Sequence, residues 1–226
     1  SAMAAINRVN PRYNDEVKSN YSAQNSGSAS LTGDERAWLK ENNNTVTLGY
    51  LTGKLPYCNE DENGEMEGSL AALATTLHDK FGITVKTIAF DSNKKLQKAL
   101  TNGTVDVALP IYRDYWLAEQ LGFIQSNSLG SMSLTVIHTG SDLNKDLQSI
   151  ACAKSSIVNR PALESLYPTA TITEYKSGDE MFSALTSGKA SSIIVPSSRM
   201  ETVRDGHDIE EFEKTELTST AELSCW

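Results

Sequence analysis

Cysteine is scarce in this chain: three residues among 226, at positions 58, 152 and 225. They form no Cys-x-x-Cys pair and have no histidine at zinc-ligand spacing, which excludes the common structural zinc patterns. Cys152 in Ser-Ile-Ala-Cys-Ala-Lys and Cys225 in Glu-Leu-Ser-Cys-Trp both fall in strand-like segments. Two readings stand for them, a disulfide in an oxidising compartment and a pair of spare buried thiols. Histidine is as rare, and His78, His138 and His207 stand alone, so each reads as a satisfied or solvated side chain rather than a base. Neither Gly-x-Ser-x-Gly nor a Gly-rich phosphate loop occurs. The expectation is a protein that is no enzyme and carries no cofactor or metal. Cations are few and dispersed, 20 Lys and Arg against 29 Asp and Glu for a net charge of -9, which excludes a phosphate-tracking, nucleic-acid-binding surface. No apolar run approaches the roughly 20 residues that a transmembrane helix needs.

What is present is ordinary for a folded core: 39% hydrophobic and 22% charged residues. The opening Ser1-Ala2-Met3 reads as a tag remnant, residues 4–21 as a weakly periodic helix broken at Pro11, and Ser22–Ser30 as a polar linker. The close at Leu223-Ser224-Cys225-Trp226 shows no polar tail or helix stop, so the expectation is a piece of a longer chain whose C-terminal end is truncated. Between these ends the pattern alternates. A Thr32 or Asp34 cap precedes a short helix, Thr45–Leu51 alternates as a strand, and Asp61–Gly64 is a tight turn. Ser69–Gly82 is an amphipathic helix closed by Gly82, followed by a strand from Ile83, a helix over Asn93–Leu100 and a strand over Val105–Ile111.

The second half repeats the rhythm. Strands are expected at 133–139 and 149–154, a helix over Arg160–Tyr167 with Pro161 in its first turn, a strand from Thr171, a helix ending at Gly188 and a strand closing at Pro196. This predicts an α/β protein with a parallel core in two lobes, with a cleft between them where a small ligand binds. One lobe is expected over residues 31–128 with about 196–212, the other over 129–195 with about 213–226.

The segment Leu109-Pro110-Ile111-Tyr112-Arg113-Asp114-Tyr115-Trp116 concentrates aromatic and charged side chains directly after a buried-looking strand. Tyr112 and Trp116, four positions apart, are read as sharing a face of one helix turn, lining a cleft or a core. Arg113 is read either as a bidentate carboxylate grip or, with Asp114, as a surface pair or hinge staple.

Four ordered blocks carry a resemblance: Leu31–Cys58, Asp61–Leu77, Leu96–Pro110 and Tyr167–Lys189. In their order and spacing, over about residues 31–226, the chain resembles the type II periplasmic solute-binding fold, solute-binding protein family 3. The Leu31-Thr32…Glu35…Trp38-Leu39 pattern before the first strand is similar to the sensor modules found upstream of histidine kinases and diguanylate cyclases. The resemblance implies an extracytoplasmic, small-molecule-sensing domain of a membrane-anchored receptor, with a second such module beside it. A free solute-binding protein of an ABC transporter and a degenerate module acting through protein contacts are the alternatives. It also implies that the family would continue beyond Trp226 into a last strand and a C-terminal helix.

Site residues follow from the same resemblance. Tyr57 falls where an aromatic commonly covers the ligand, and Ser155 and Ser156 fall in a loop whose hydroxyls and backbone N–H groups suit an anionic group. Ser197 falls where amino-acid binders present an aspartate to the ligand's ammonium. The expected contacts are thus Tyr57, Tyr112, Arg113, Trp116, Ser155, Ser156 and Ser197, around a carboxylate-bearing or amino-acid-like ligand. This chain departs from the amino-acid binders at three places: no threonine precedes Arg113, no acid follows Gly68, and Ser197 replaces the aspartate. Those departures imply a different ligand class or a site that signals without a small ligand.

Overall fold

A computed structural model describes residues 31–226, and the expectations for residues 1–30 lie outside the described residues. The described chain divides into two compact units, one running to Ile111 and including Cys225 and Trp226, the other Tyr112–Ser224.

The first unit opens with α1 (Gly33–Glu41), whose start is a capping box: the Thr32 hydroxyl accepts from Glu35 N while the Glu35 carboxylate accepts from Thr32 N. Strand β1 (Thr45–Leu51) follows. The Asp61–Gly64 turn joins a small hairpin, β2 (Asn59–Glu60) with β3 (Met66–Glu67). A single 3-10 turn at Ser69–Ala71 leads into α2 (Ala72–Phe81), and Gly82 takes the left-handed conformation (φ 66°) that ends the helix. Then come β4 (Thr84–Phe90), α3 (Asn93–Thr101) and β5 (Val107–Leu109). All pairings in the β4-β1-β5 sheet are parallel, with β1 central. That position explains why Leu48–Leu51 are buried without alternation: helices or neighbours cover a parallel strand on both faces. Leu96 of α3 packs with Leu51, Ala108 and Ile111, and Trp226 closes the same cluster.

The second unit begins within β6 (Ile111–Tyr112), continues with α4 (Tyr115–Leu121) and β7 (Gly130–Met132), and then builds its main sheet. The sheet strands are β8 (Leu134–His138), β9 (Ser149–Ala153), β10 (Thr171–Tyr175) and β11 (Ser192–Pro196), with helices α5 (Leu143–Asp146), α6 (Arg160–Leu166) and α7 (Gly178–Thr186) between them. Next come α8 (Met200–Gly206), β12 (Glu213–Glu216) and β13 (Ala221–Ser224). Sheet order is β10-β9-β11-β8-β12: β10, β9 and β11 run parallel, whereas β8 and β12 are antiparallel to their neighbours. The expected parallel core therefore holds for three strands and gives way to antiparallel pairing at one edge.

The units divide at 111/112 and 224/225, not near 128/129, 195/196 and 212/213. Packing explains the difference. Val203 of α8, Ile209 and Phe212 join Ile137, Phe182, Leu185 and Ile193 in one core cluster, and β12 pairs with β8, so residues 197–216 stay with the second unit. Strand β12 escaped the periodicity because Glu-Lys-Thr-Glu has no apolar residue; it is an edge strand, mostly exposed, where charge is the rule. The three cysteines carry no disulfide, so Cys152 and Cys225 are not joined. Burial pushes the Cys58 and Cys152 thiols up to about 12, and Cys58 Sγ donates to Leu51 O.

Candidate functional site

Tyr57 stands in the loop that follows the carboxyl end of β1. The loop closes on itself: Lys54 N donates to Cys58 O at 2.8 Å and Tyr57 N to Lys54 O at 2.8 Å. From outside, Ser69 N and Leu70 N hold the carbonyls of Pro56 and Tyr57, both at 2.9 Å. Gly68 permits this approach: a Cβ there would lie 2.6 Å from Tyr57 O, and its φ of +100° suits only glycine. Asn59 Oδ1 accepts from Gly53 N and Thr52 Oγ1, while its Nδ2 donates to Glu67 Oε1. The half-buried Tyr57 is thus presented on a rigid loop. Asn59 and Gly68 were not singled out from the sequence, because their roles need the β2–β3 hairpin to fold back on the loop.

In the second unit, Tyr112 ends β6 and Trp116 lies in the first turn of α4, so the two do not share one helix. Asp114 separates them as the helix cap, accepting from Leu117 N at 3.1 Å in an extended conformation that breaks the expected turn. Burial pushes the Tyr112 phenol up to about 12, with the Asp114 charge adding to it. Arg113 turns away from Asp114. Its guanidinium donates to the Glu222 carboxylate through Nη1 and to the Tyr115 hydroxyl through Nη2, and it lies 4.8 Å from the Tyr115 ring centroid.

Lys154-Ser155-Ser156 follows β9 and Ser197 follows β11, two neighbouring parallel strands, so all three serines sit beyond the same sheet end. In open α/β sheets this carboxyl end is where ligands bind. Ser156 Oγ accepts from Ala153 N at 3.3 Å, and Ser197 Oγ pairs with Thr135 Oγ1 at 2.8 Å. Asn159, not Ser155 or Ser156, caps α6, accepting from Ala162 N.

His138 is buried at 2% exposure, and both of its nitrogens are engaged, Nδ1 with Asp146 Oδ2 and Nε2 with Thr215 Oγ1, each at 3.0 Å. Hydroxyl, imidazole and carboxylate have the composition of a nucleophilic relay, but here they tie β12 and α5 to β8. Asp146 Oδ2 also accepts from Gly140 N. Among the described residues, no group of three or more His, Cys, Asp or Glu is placed to hold a metal ion.

No family model matches this chain, and no curated protein matches it. Solved structures do. The periplasmic domain of Bordetella pertussis BvgS matches with 17% identity and a TM-score of 0.63, over 87% of this chain and 39% of that one. This chain therefore spans about two fifths of that periplasmic chain. The separate VFT2 domain of the same protein matches at 16% identity and 0.62, over 87% of this chain and 85% of that one. A cysteine-binding protein from Campylobacter jejuni matches at 19% and 0.60, over 84% and 78%. These likenesses show the fold: an α/β protein of the type II periplasmic-binding-protein kind.

Proposed function

We propose that the chain is the extracytoplasmic ligand-sensing domain of a membrane-anchored signalling receptor, and that its two units close on a small molecule. The observation that carries this reading is the placement of Tyr57, Ser155, Ser156 and Ser197 beyond the carboxyl ends of parallel strands in a binding-protein fold. Tyr57, Tyr112 and Trp116 supply aromatic surface, and the serines supply hydroxyl and backbone donors. A ligand carboxylate reaching Arg113 has to take the place of Glu222 on the guanidinium. With Ser197 hydrogen-bonded to Thr135 where an ammonium partner would stand, the ligand expected is a small carboxylate-bearing or amino-acid-like molecule held without an ammonium anchor. Ligand that binds the closed state better shifts the population toward it, and that shift is the signal. The likeness to the BvgS domains supports the sensor reading and a second module beside this one, whereas the likeness to the cysteine-binding protein supports a free solute-binding protein of a transporter.

A thermal-shift screen against amino acids, carboxylates, sugars, short peptides and nucleobases tests the reading. A ligand at 100 times its dissociation constant adds about 2.7 kcal/mol of stability. Loss of that stabilisation in Tyr57→Ala and in the Ser155→Ala/Ser156→Ala double variant is the expected result. A flat screen of the folded protein overturns it in favour of a module that acts through protein contacts.

A further inference from the structure

Helix α1 is weakly anchored by the described residues: within Gly33–Glu41 only Leu39 is buried, and Trp38 stands 41% exposed. A helix of nine residues is shorter than the roughly 12–15 that an isolated helix needs, and its capping box adds only about 1 kcal/mol, so packing has to supply the rest. Beside Trp38 and Leu39 lies a groove of about 390 Å³, its apolar lining completed by Leu31, Val46 and Ile83. All five residues belong to one unit, so the groove is complete without the other.

What covers the groove follows from where the described chain begins. Leu31 is the first described residue and lies in the groove itself, so the preceding 30 residues join the chain at this spot. Among them Tyr13, Val17 and Tyr21 recur every four positions, the spacing that gathers apolar side chains on one helix face. Between Tyr21 and Leu31 every residue of Ser22–Ser30 is small or polar. A flexible linker of that length spans about 17 Å, and α1 is about 14 Å long, so residues 13–21 reach the whole groove. A short linker of this kind also gives a local concentration on the order of millimolar, about a thousandfold above that of a second copy or a free partner at micromolar concentration. That difference selects the chain's own segment as the occupant.

We propose that the groove beside α1 is the docking site of residues 13–21, with Tyr13, Val17 and Tyr21 packed against Trp38 and its apolar neighbours. Docking takes water off the Trp38 ring and supplies the packing that α1 otherwise lacks. It also fixes the direction from which the first residues of the chain reach this unit. The contact needs no ligand, so it stands or falls separately from the sensing reading.

The test compares the 226-residue chain with a chain lacking residues 1–21 and with the Tyr13→Ser/Val17→Ser/Tyr21→Ser variant, each labelled with 5-fluorotryptophan. Fluorine relaxation by a dissolved gadolinium chelate reads how open Trp38 is to solvent, its resonance being assigned by its loss in Trp38→Phe. Both altered chains are expected to raise Trp38 relaxation about threefold, leave Trp226 unchanged and speed amide exchange in α1 about tenfold. A peptide of residues 10–24, added at millimolar concentration to the shortened chain, is expected to restore the shielding. If the shortened chain does not fold, the triple serine variant decides. Equal Trp38 relaxation in the whole and altered chains overturns the proposal, as does a peptide that leaves Trp38 open. Shielding that grows with protein concentration in every chain also overturns it, because it assigns the groove to a second copy.

Discussion

Tyr50 lies within the buried run of β1 at 1% exposure, and its hydroxyl has no hydrogen-bond partner among the described residues. An unsatisfied buried hydroxyl costs about 1–3 kcal/mol, so Tyr50→Phe, which removes it at nearly constant shape, is expected to leave the melting temperature unchanged or raise it. A drop in unfolding free energy by more than about 1 kcal/mol would show that the hydroxyl has a partner. Burial also pushes this phenol up to about 12. The folded chain therefore holds the proton more tightly than the unfolded one, whose tyrosines ionise near about 10. The contribution is complete below that pH and falls away as pH rises toward 12, and Tyr50→Phe should flatten this alkaline decline. Little of this was legible from residue type alone. A tyrosine in Thr-Val-Thr-Leu-Gly-Tyr-Leu reads as strand, but whether its hydroxyl meets a partner depends on what folds over it. Likewise, Arg113 was legible as a special cation, and its partner Glu222 was not.

Elements were the most legible scale, because caps and periodicity act over a few residues. The Thr32 cap is the clearest case. Its backbone N–H and hydroxyl hold the Glu35 carboxyl below its usual range. A depressed carboxyl stabilises above its unfolded pKa and loses that contribution as pH falls through the folded one. Thr32→Ala is expected to cost about 1 kcal/mol at neutral pH, and Glu35→Gln to remove part of the acid sensitivity of α1. Denaturant unfolding at pH 7 and pH 3 checks both; an acid limb identical in Glu35→Gln would show that the box contributes nothing. Elements failed to be legible where tertiary pairing made them. Strand β12 exists because β8 offers it an edge, and Tyr112 leaves the expected helix turn because Asp114 turns its side chain to cap α4.

At the scale of the whole molecule, the division into units depends on residues far apart in sequence. Trp226 exchanges both backbone hydrogen bonds with Ala108, at 2.9 and 3.0 Å, and packs on the Leu51–Leu96–Ala108 cluster. Trp226→Ala is expected to cost about 2 kcal/mol, less than a fully buried aromatic because the ring is half-buried. Exchange protection should fall in β1 and β5 and hold in β9 and β11. Equal losses in both sets would mean that the last two residues do not belong energetically to the first unit.

By itself, the sequence determined the α/β class, the principal alternating helices and strands of the two halves, and candidate serines and a tyrosine at strand ends. Hydrophobic period, caps and turn residues act locally and leave a local record. Tertiary structure alone decided where one unit gives way to the other, that β8 and β12 run antiparallel, that Cys152 and Cys225 stay thiols, and that Arg113 is held by a glutamate 109 residues away. Each of those outcomes is a pairing between distant segments, and which distant segment wins depends on the total area and hydrogen bonding that the assembled sheet satisfies, a quantity no short window of residues contains.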